Sequence, residues 1–218
     1  MARTIVTLLA FVLLIILHGY IEKGAQTLGL SFTFSKMLPY LLQGIVLIVL
    51  LVEVYRTFLM QLPLVLRRLL GLIVLIGGGG IAFAMHPIYE GDFKHEYRPV
   101  FFSGKSSQQL HDGLTMIALP GCPYCYERVE DLNRFVELYP AEAVYIQVVN
   151  EDSLALKEYR ERAEDQIVVS FAKNQETLTS ITGKRYPSFI YIEPETKKGM
   201  LWNNNGFGVA AMDFVLDQ

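Results

Sequence analysis

Three long apolar runs in the first 86 residues limit what this chain can fold into. They cover Thr4–His18, Leu38–Val54 and Leu69–Met85, and the last pattern extends back to Leu64. Each run is close to the ~20 residues that cross the hydrocarbon core of a bilayer. Core helices of a soluble domain would need a polar face, and these runs leave almost none. The sequence therefore predicts an all-α transmembrane region of about three helices, near residues 4–20, 38–58 and 64–85.

The basic residues beside these runs predict the orientation of the helices. Arg3 precedes the first run, and Arg56, Arg67 and Arg68 lie between the second and third. Because basic loops stay on the cytoplasmic side, everything after Met85 is expected on the other side. We therefore predict a multi-pass protein of the cell inner membrane with a periplasmic domain. The first run also resembles a signal peptide, although no clear small-residue cleavage site follows it.

Charge and cysteine content argue against several classes of function. The formal net charge of -3 gives no basic footprint for nucleic acid. The chain has two cysteines, too few for a disulfide scaffold or a four-cysteine zinc site. A redox pair is the economical interpretation, with no metal and no cofactor. A copper chaperone is an alternative because soft thiolates suit Cu(I), but the four histidines are scattered and show no ligand spacing.

The two cysteines, Cys122 and Cys125, lie at a predicted junction between a strand and a helix. The apolar run Leu114–Leu119 leads into them, and an amphipathic helical pattern follows. Cys122 would occupy the helix N-terminus, where unpaired N–H groups and the helix dipole favour an anion. The nucleophilic thiolate is thereby favoured at Cys122, and Cys125, one turn further on, can close the ring. Pro123 fits the first turn, where a missing N–H costs nothing.

Outside the membrane region, the sequence predicts a linker over residues 87–107 and a domain over residues 108–218. The linker mixes proline, glycine, charged and aromatic residues without a period, and a first strand can begin within it at residue 98. In the domain, strand and helix patterns alternate, which predicts an α/β fold with a mixed sheet flanked by helices. The predicted strands cover residues 114–119, 143–149, 188–192 and 199–202, and the predicted helices cover residues 122–139, 153–164, 175–181 and 209–216. Residues 167–172 are ambiguous between a strand and a connection.

Residues from about 98 to 218 resemble a domain of the thioredoxin superfamily. The tripeptide Tyr186-Pro187-Ser188, just before a predicted hairpin, is similar to the Tyr-Pro-Thr of protein disulfide isomerase domains. The resemblance implies that the Tyr186–Pro187 bond is cis and that the Tyr186 backbone pairs with an incoming substrate strand. A trans proline at the start of an edge strand is the alternative. Pro123 and Tyr124, between the cysteines, are the other predicted substrate-binding residues.

The resemblance to individual branches of the superfamily is mixed. Cys-Pro-Tyr-Cys carries the glutaredoxin dipeptide, whereas Cys125-Tyr126-Glu127 looks more like periplasmic disulfide oxidases. Thioredoxin has a buried aspartate six residues before its first cysteine, and here that position is Met116. Glu127 is the candidate replacement as proton acceptor, although an acid in the first turn more often stabilises the end of a helix.

These features predict a membrane-anchored thiol–disulfide oxidoreductase that acts on extracytoplasmic protein thiols and disulfides. Cys122 would be the nucleophile and Cys125 the resolving thiol. Anchoring beside a membrane electron donor favours a reductase, so the predicted partners are protein substrates, a membrane electron donor or acceptor protein, and the lipid bilayer. The alternatives are a structural disulfide, and a membrane-complex subunit or assembly factor that uses a thioredoxin-like fold for binding.

Overall fold

The computed structural model of the chain describes residues 2–87, 97–100, 110–203 and 209–217. The chain divides into two compact units, Met1–Ile88 and Tyr89–Gln218. The division falls close to residue 86, where the membrane region is predicted to end. Most of the predicted linker, residues 88–96 and 101–107, lies outside the described residues.

The described part of the first unit contains four α-helices. They are α1 (Ala2–Ile16), α2 (His18–Thr27), α3 (Phe32–Val54), which continues as a π-helical turn over Tyr55–Leu59, and α4 (Leu64–Met85). Two helices, Phe32–Leu59 and Leu64–Met85, are long and apolar enough to cross a membrane. The bent pair α1–α2 would be a third crossing if it forms one span. Among the described residues, the number of helices that could span a membrane is therefore two, or up to three.

The first predicted helix is broken, which the apolar pattern did not predict. α1 and α2 meet at Leu17 and are bent by 66°. A break frees carbonyl groups at the end of α1, and in a bilayer such groups need partners. The Gln43 side-chain amide donates to the Leu14 carbonyl at 3.2 Å, and the His86 Nε2 donates to the Ile15 carbonyl at 3.0 Å. The side chains that donate to these free carbonyls thus come from α3 and from the end of α4.

His18, the first residue of α2, is buried at this bend. Its ring stacks on the His86 ring at a centroid distance of 3.9 Å and meets the Tyr40 ring edge-on at 4.7 Å. Its Nδ1 lies 3.2 Å from the Gln43 Nε2, and the Tyr40 hydroxyl donates to the His86 carbonyl at 2.9 Å. We call His18, Tyr40, Gln43 and His86 the bend cluster.

Gln43→Leu is expected to loosen the α1–α2 bend, because leucine leaves the Leu14 carbonyl without this donor. A hydrogen bond between membrane helices contributes ~1 kcal/mol, so amide exchange around the bend should rise about fivefold. Hydrogen-exchange mass spectrometry of the full chain in detergent micelles measures this. The matched control is Gln61→Leu, at an exposed glutamine just beyond the π-helical turn. Equal exchange at the bend in the two variants would contradict the expectation.

The described part of the second unit contains a six-stranded mixed sheet. Its strands are β1 (Arg98–Val100), β2 (Gly113–Ala118), β3 (Val144–Val148), β4 (Val168–Phe171), β5 (Ser188–Ile192) and β6 (Gly199–Trp202). The strand order is β1-β6-β5-β2-β3-β4. The β2–β3 and β3–β4 pairs are parallel, and the other three pairs are antiparallel. The structure confirms the predicted mixed sheet, and it makes the ambiguous stretch a strand, β4.

The helices of this unit begin at or within one residue of their predicted starts, whereas α6 ends two residues before its predicted end. They are α5 (Pro123–Leu138), α6 (Ser153–Arg162), α7 (Gln175–Thr182) and α8 (Val209–Leu216). The Asp152 carboxylate caps α6 by accepting from two backbone N–H groups, and the Asn174 side chain caps α7 by accepting from the Thr177 N–H. Gly183 ends α7 with a left-handed φ of 63°.

Strand β5 is buried on both of its faces. The alternating pattern of its sequence is typical of a strand with one exposed face, yet all five residues are buried. Tyr191 packs against Phe214 of α8, whereas its neighbour Ile190, on the opposite face, clusters with Leu178 of α7. Helices therefore cover both sides of the strand that leads away from Pro187.

Candidate active site

The two cysteines lie where strand β2 turns into helix α5. All six residues of β2 are buried, so the strand is a fixed support for the turn that follows it. Cys122 is half-buried, whereas Cys125 is fully buried. The two sulfur atoms are at disulfide distance, and the Cα atoms are 5.3 Å apart. Of the two sulfurs, the one of Cys122 is therefore the one that a partner can approach.

Cys122 is the N-cap residue of α5, as predicted. Its Sγ accepts a hydrogen bond from the Cys125 backbone N–H at 3.2 Å. Pro123 occupies the first turn, in which none of the described residues is acidic. A sulfur at this point lies at the positive end of a 16-residue helix and accepts from a first-turn amide, both of which stabilise a thiolate.

The loop that contains Tyr186 and Pro187 lies at the same edge of the sheet. The Tyr186–Pro187 bond is cis, which confirms the prediction. β5 begins at the next residue, Ser188, and Ser188 pairs with Ile117 near the end of β2. Because β2 leads directly into the turn that contains Cys122, the register places Pro187 and the cysteines at one edge. The substrate-binding roles of Tyr186 and Pro187 stay predictions.

The side chains next to the cysteines and to Pro187 differ in exposure. The Tyr186 ring packs against the core, and its hydroxyl lies 3.2 Å from the Thr179 Oγ1. That side chain therefore anchors the loop to α7. Pro123 and Tyr124 are exposed, with Tyr124 at 46%. These two residues form exposed surface beside Cys122, and their predicted role in substrate binding stays a prediction.

Glu127, the predicted proton acceptor, makes no hydrogen bond or ion pair with either cysteine among the described residues. Glu127 is 53% exposed and pairs with Arg128 at 3.5 Å. It lies just beyond the first turn of α5, which begins at Pro123, so the expectation of a first-turn acid is wrong. Met116, six residues before Cys122, is fully buried in β2.

Two tyrosines for which the sequence predicted no role lie against the turn before Cys122. Tyr159 of α6 is fully buried, and its hydroxyl donates to the Leu119 carbonyl at 2.9 Å. The Tyr126 ring packs on the Tyr159 ring at a centroid distance of 4.7 Å, and its hydroxyl donates to Glu158 at 2.6 Å. We call Tyr126, Glu158 and Tyr159 the tyrosine brace. The sequence feature that could have indicated a role for Tyr159 is that it is the one aromatic residue in a mostly charged helix.

Both hydroxyls of the brace keep their protons at neutral pH. Burial raises the pKa of Tyr126, and its hydrogen bond to Glu158 raises it further. Burial also raises the pKa of Tyr159, with smaller contributions from Tyr126 and Glu158. The Arg162 guanidinium lies 4.7 Å from the Tyr126 ring centroid and opposes these shifts. The brace therefore donates hydrogen bonds throughout the physiological pH range.

A shallow polar cleft of about 730 Å³ lies farther along the same edge, beyond β3 and β4. Its lining includes Asn150, Lys173 and Glu176, and neither cysteine lines it. Among the described residues, no group of three or more histidine, cysteine, aspartate or glutamate side chains could hold a metal ion.

Comparison of the chain with protein-family models, curated proteins and solved structures found no match.

Proposed function

We propose that this protein is a membrane-anchored thiol–disulfide oxidoreductase with a thioredoxin-like domain. The observation that carries the proposal is the placement of Cys122 and Cys125 at the start of α5. One sulfur is half-exposed at the helix N-terminus and the other is buried one turn away. This asymmetry suits a nucleophile and a resolving thiol. The nucleophile must reach a substrate, whereas the resolving thiol needs to reach only the nucleophile.

In the reducing direction, the Cys122 thiolate attacks one sulfur of a substrate disulfide. A Cys122–substrate mixed disulfide forms, and the other substrate sulfur leaves as a thiolate. Cys125 then loses its proton and attacks the Cys122 sulfur. The second substrate thiolate leaves, the substrate has gained two electrons, and the Cys122–Cys125 pair has become a disulfide. The same steps in reverse would oxidise a substrate dithiol.

We assign the reducing direction, with extracytoplasmic protein disulfides as substrates in a periplasmic location. Two or three helices that can span a membrane would hold the domain beside a membrane electron donor. Such a donor protein would supply the two electrons that regenerate the dithiol after each cycle. The Lys/Arg distribution of the first unit supports the extracytoplasmic side for the chain after Met85.

The cysteine pair is expected to be mainly reduced in intact cells, because a reductase must be recharged between cycles. Acid quenching followed by a mass-tagged alkylating reagent measures this, and with two cysteines in the chain a reduced pair gains two tags. The Cys125→Ser variant, fully reduced before alkylation so that it gains one tag, calibrates the gel. A mainly bridged pair would contradict the reducing direction. A brief pulse of mild reductant then distinguishes a catalytic disulfide, which reopens, from a structural one, which resists.

A second candidate function is that of a membrane-complex subunit or assembly factor that uses the second unit for binding. The observation that favours it is the size of the membrane unit, because tethering needs a single helix and the described residues contain two helices, or up to three, that could span a membrane. Under this alternative, Cys122→Ser would leave the function intact. Under the proposed function, the same substitution abolishes it.

A further inference from the structure

The Leu119 carbonyl is the hydrogen-bond acceptor that stabilises the turn between β2 and α5. It accepts two hydrogen bonds, from the Cys122 backbone N–H at 3.3 Å and from the Tyr159 hydroxyl at 2.9 Å. The first bond closes the turn itself, and the second ties the turn to helix α6. The orientation of the residues that precede Cys122 thus depends on a side chain forty positions farther along the chain.

Tyr159 is itself held from several directions. Its ring is fully buried and packs against the Tyr126 ring, which comes from the same helix as the cysteines. Tyr126 in turn donates to Glu158 and lies under the Arg162 guanidinium. Helices α5 and α6 are therefore joined at the turn by a hydrogen-bonded and stacked group, and the Tyr159 hydroxyl has little freedom to leave the Leu119 carbonyl.

We propose that Tyr159 is a positioning residue for Cys122: by fixing the Leu119 carbonyl, it holds the Cys122 sulfur at the N-terminus of α5 when the pair is reduced. This inference rests on the proposed function, because it concerns the reactivity of the same thiol. Tyr159 touches neither the substrate nor the reacting sulfur, and it acts through the backbone of the turn.

The position of Cys122 depends on the tyrosine brace more in the dithiol than in the disulfide. In the oxidised pair, the covalent bond to Cys125 restrains Cys122. In the reduced pair, that restraint is gone, and the sulfur stays at the helix N-terminus only as long as the turn keeps its shape. The Tyr159 hydroxyl therefore stabilises the reduced form relative to the oxidised one, which makes the disulfide easier to reduce. Loss of one such hydrogen bond shifts the equilibrium about fivefold.

The test uses the full chain in detergent micelles and compares Tyr159→Phe with wild type. The first measurement is the equilibrium constant for reduction of the pair by glutathione. The second is the pH profile of Cys122 alkylation by iodoacetamide in the reduced protein. Tyr191→Phe is the matched control, since Tyr191 is also buried but pairs with Leu114, at the far end of β2. Tyr126→Phe is the second variant.

In Tyr159→Phe, we expect the glutathione equilibrium to move about fivefold toward the disulfide, and the alkylation profile to move to higher pH. Tyr126→Phe should move both in the same direction by less, and Tyr191→Phe should move neither. A folded Tyr159→Phe variant with wild-type values overturns the inference. If Tyr159→Phe does not fold, wild-type values in Tyr126→Phe overturn it. If the wild-type disulfide itself resists glutathione, the proposed function fails, and the positioning role fails with it.

Discussion

Replacing Cys125 with serine is expected to turn a transient covalent intermediate into a stable one. After Cys122 attacks a substrate disulfide, release of the substrate needs a second sulfur, and serine cannot supply it. The chain has two cysteines, so Cys125→Ser leaves no other thiol in it that could resolve the mixed disulfide. Substrate proteins should accumulate as reductant-sensitive adducts of the full chain, from an undetectable level to a substantial fraction. Non-reducing electrophoresis and mass spectrometry of the adduct bands measure this.

The control for this experiment is Cys122→Ser, which should give no adduct and no disulfide exchange. Cys125 remains in that variant, but its buried sulfur cannot meet a protein substrate. Adducts that form equally well in Cys122→Ser would show that the assignment of the nucleophile is wrong. Full biological function of Cys122→Ser, together with no adduct in Cys125→Ser, would instead support the assembly-factor alternative.

Gly113→Ala is expected to destabilise the second unit strongly. Gly113 begins β2 with a φ of 106°, a conformation that L-residues rarely adopt. A Cβ at this position would also overlap the Ala143 carbonyl oxygen, which is fixed because it accepts from the Leu114 N–H at 2.9 Å. The backbone and packing costs together come to ~2–5 kcal/mol. Since β2 supports the turn before Cys122, loss of this strand would also remove the site.

The sole tryptophan makes this effect measurable in the full chain. Trp202 lies in β6 and is 1% exposed, so its fluorescence follows the second unit and not the membrane helices. Urea unfolding in micelles should show a much lower midpoint for Gly113→Ala. Gly183→Ala is the matched control, since Gly183 also has a positive φ but no atom within 4 Å of its Cβ position, so it should cost only ~1–2 kcal/mol. Equal midpoints in the two variants would show that the Ala143 contact does not matter.

The features that the sequence predicted well are those that depend on neighbouring residues. Asp152 and Asn174 act on backbone groups two or three positions away, so the starts of α6 and α7 could be placed from local residues. The position of Cys122 as the N-cap of α5 was predictable for the same reason. The cis bond at Pro187 followed from a short motif that resembles a known family.

The features that the sequence did not predict depend on contacts between distant segments. At the bend at Leu17, the free carbonyls of α1 accept from Gln43 and His86. The hydropathy of the first run gives no sign of these two distant donors. Tyr159 likewise reaches the active-site turn from another helix, so its periodicity within α6 gives no sign of its contact with Leu119. The sequence pattern therefore predicted where the cysteines lie in the fold, but not the side chains that support the turn before them.

The bend cluster offers an explanation for why the chain has more membrane helices than tethering requires. The Leu14 and Ile15 carbonyls of α1 are capped by side chains from α3 and from the end of α4, so one helix completes the backbone hydrogen bonding of another. A shortened chain anchored by α4 alone would leave the His86 ring at the membrane without its acceptor, which is costly in a bilayer. The N-terminal helices and the end of α4 thus complete one another's hydrogen bonding, which gives the extra helices a role within the chain besides any contact with a second membrane protein.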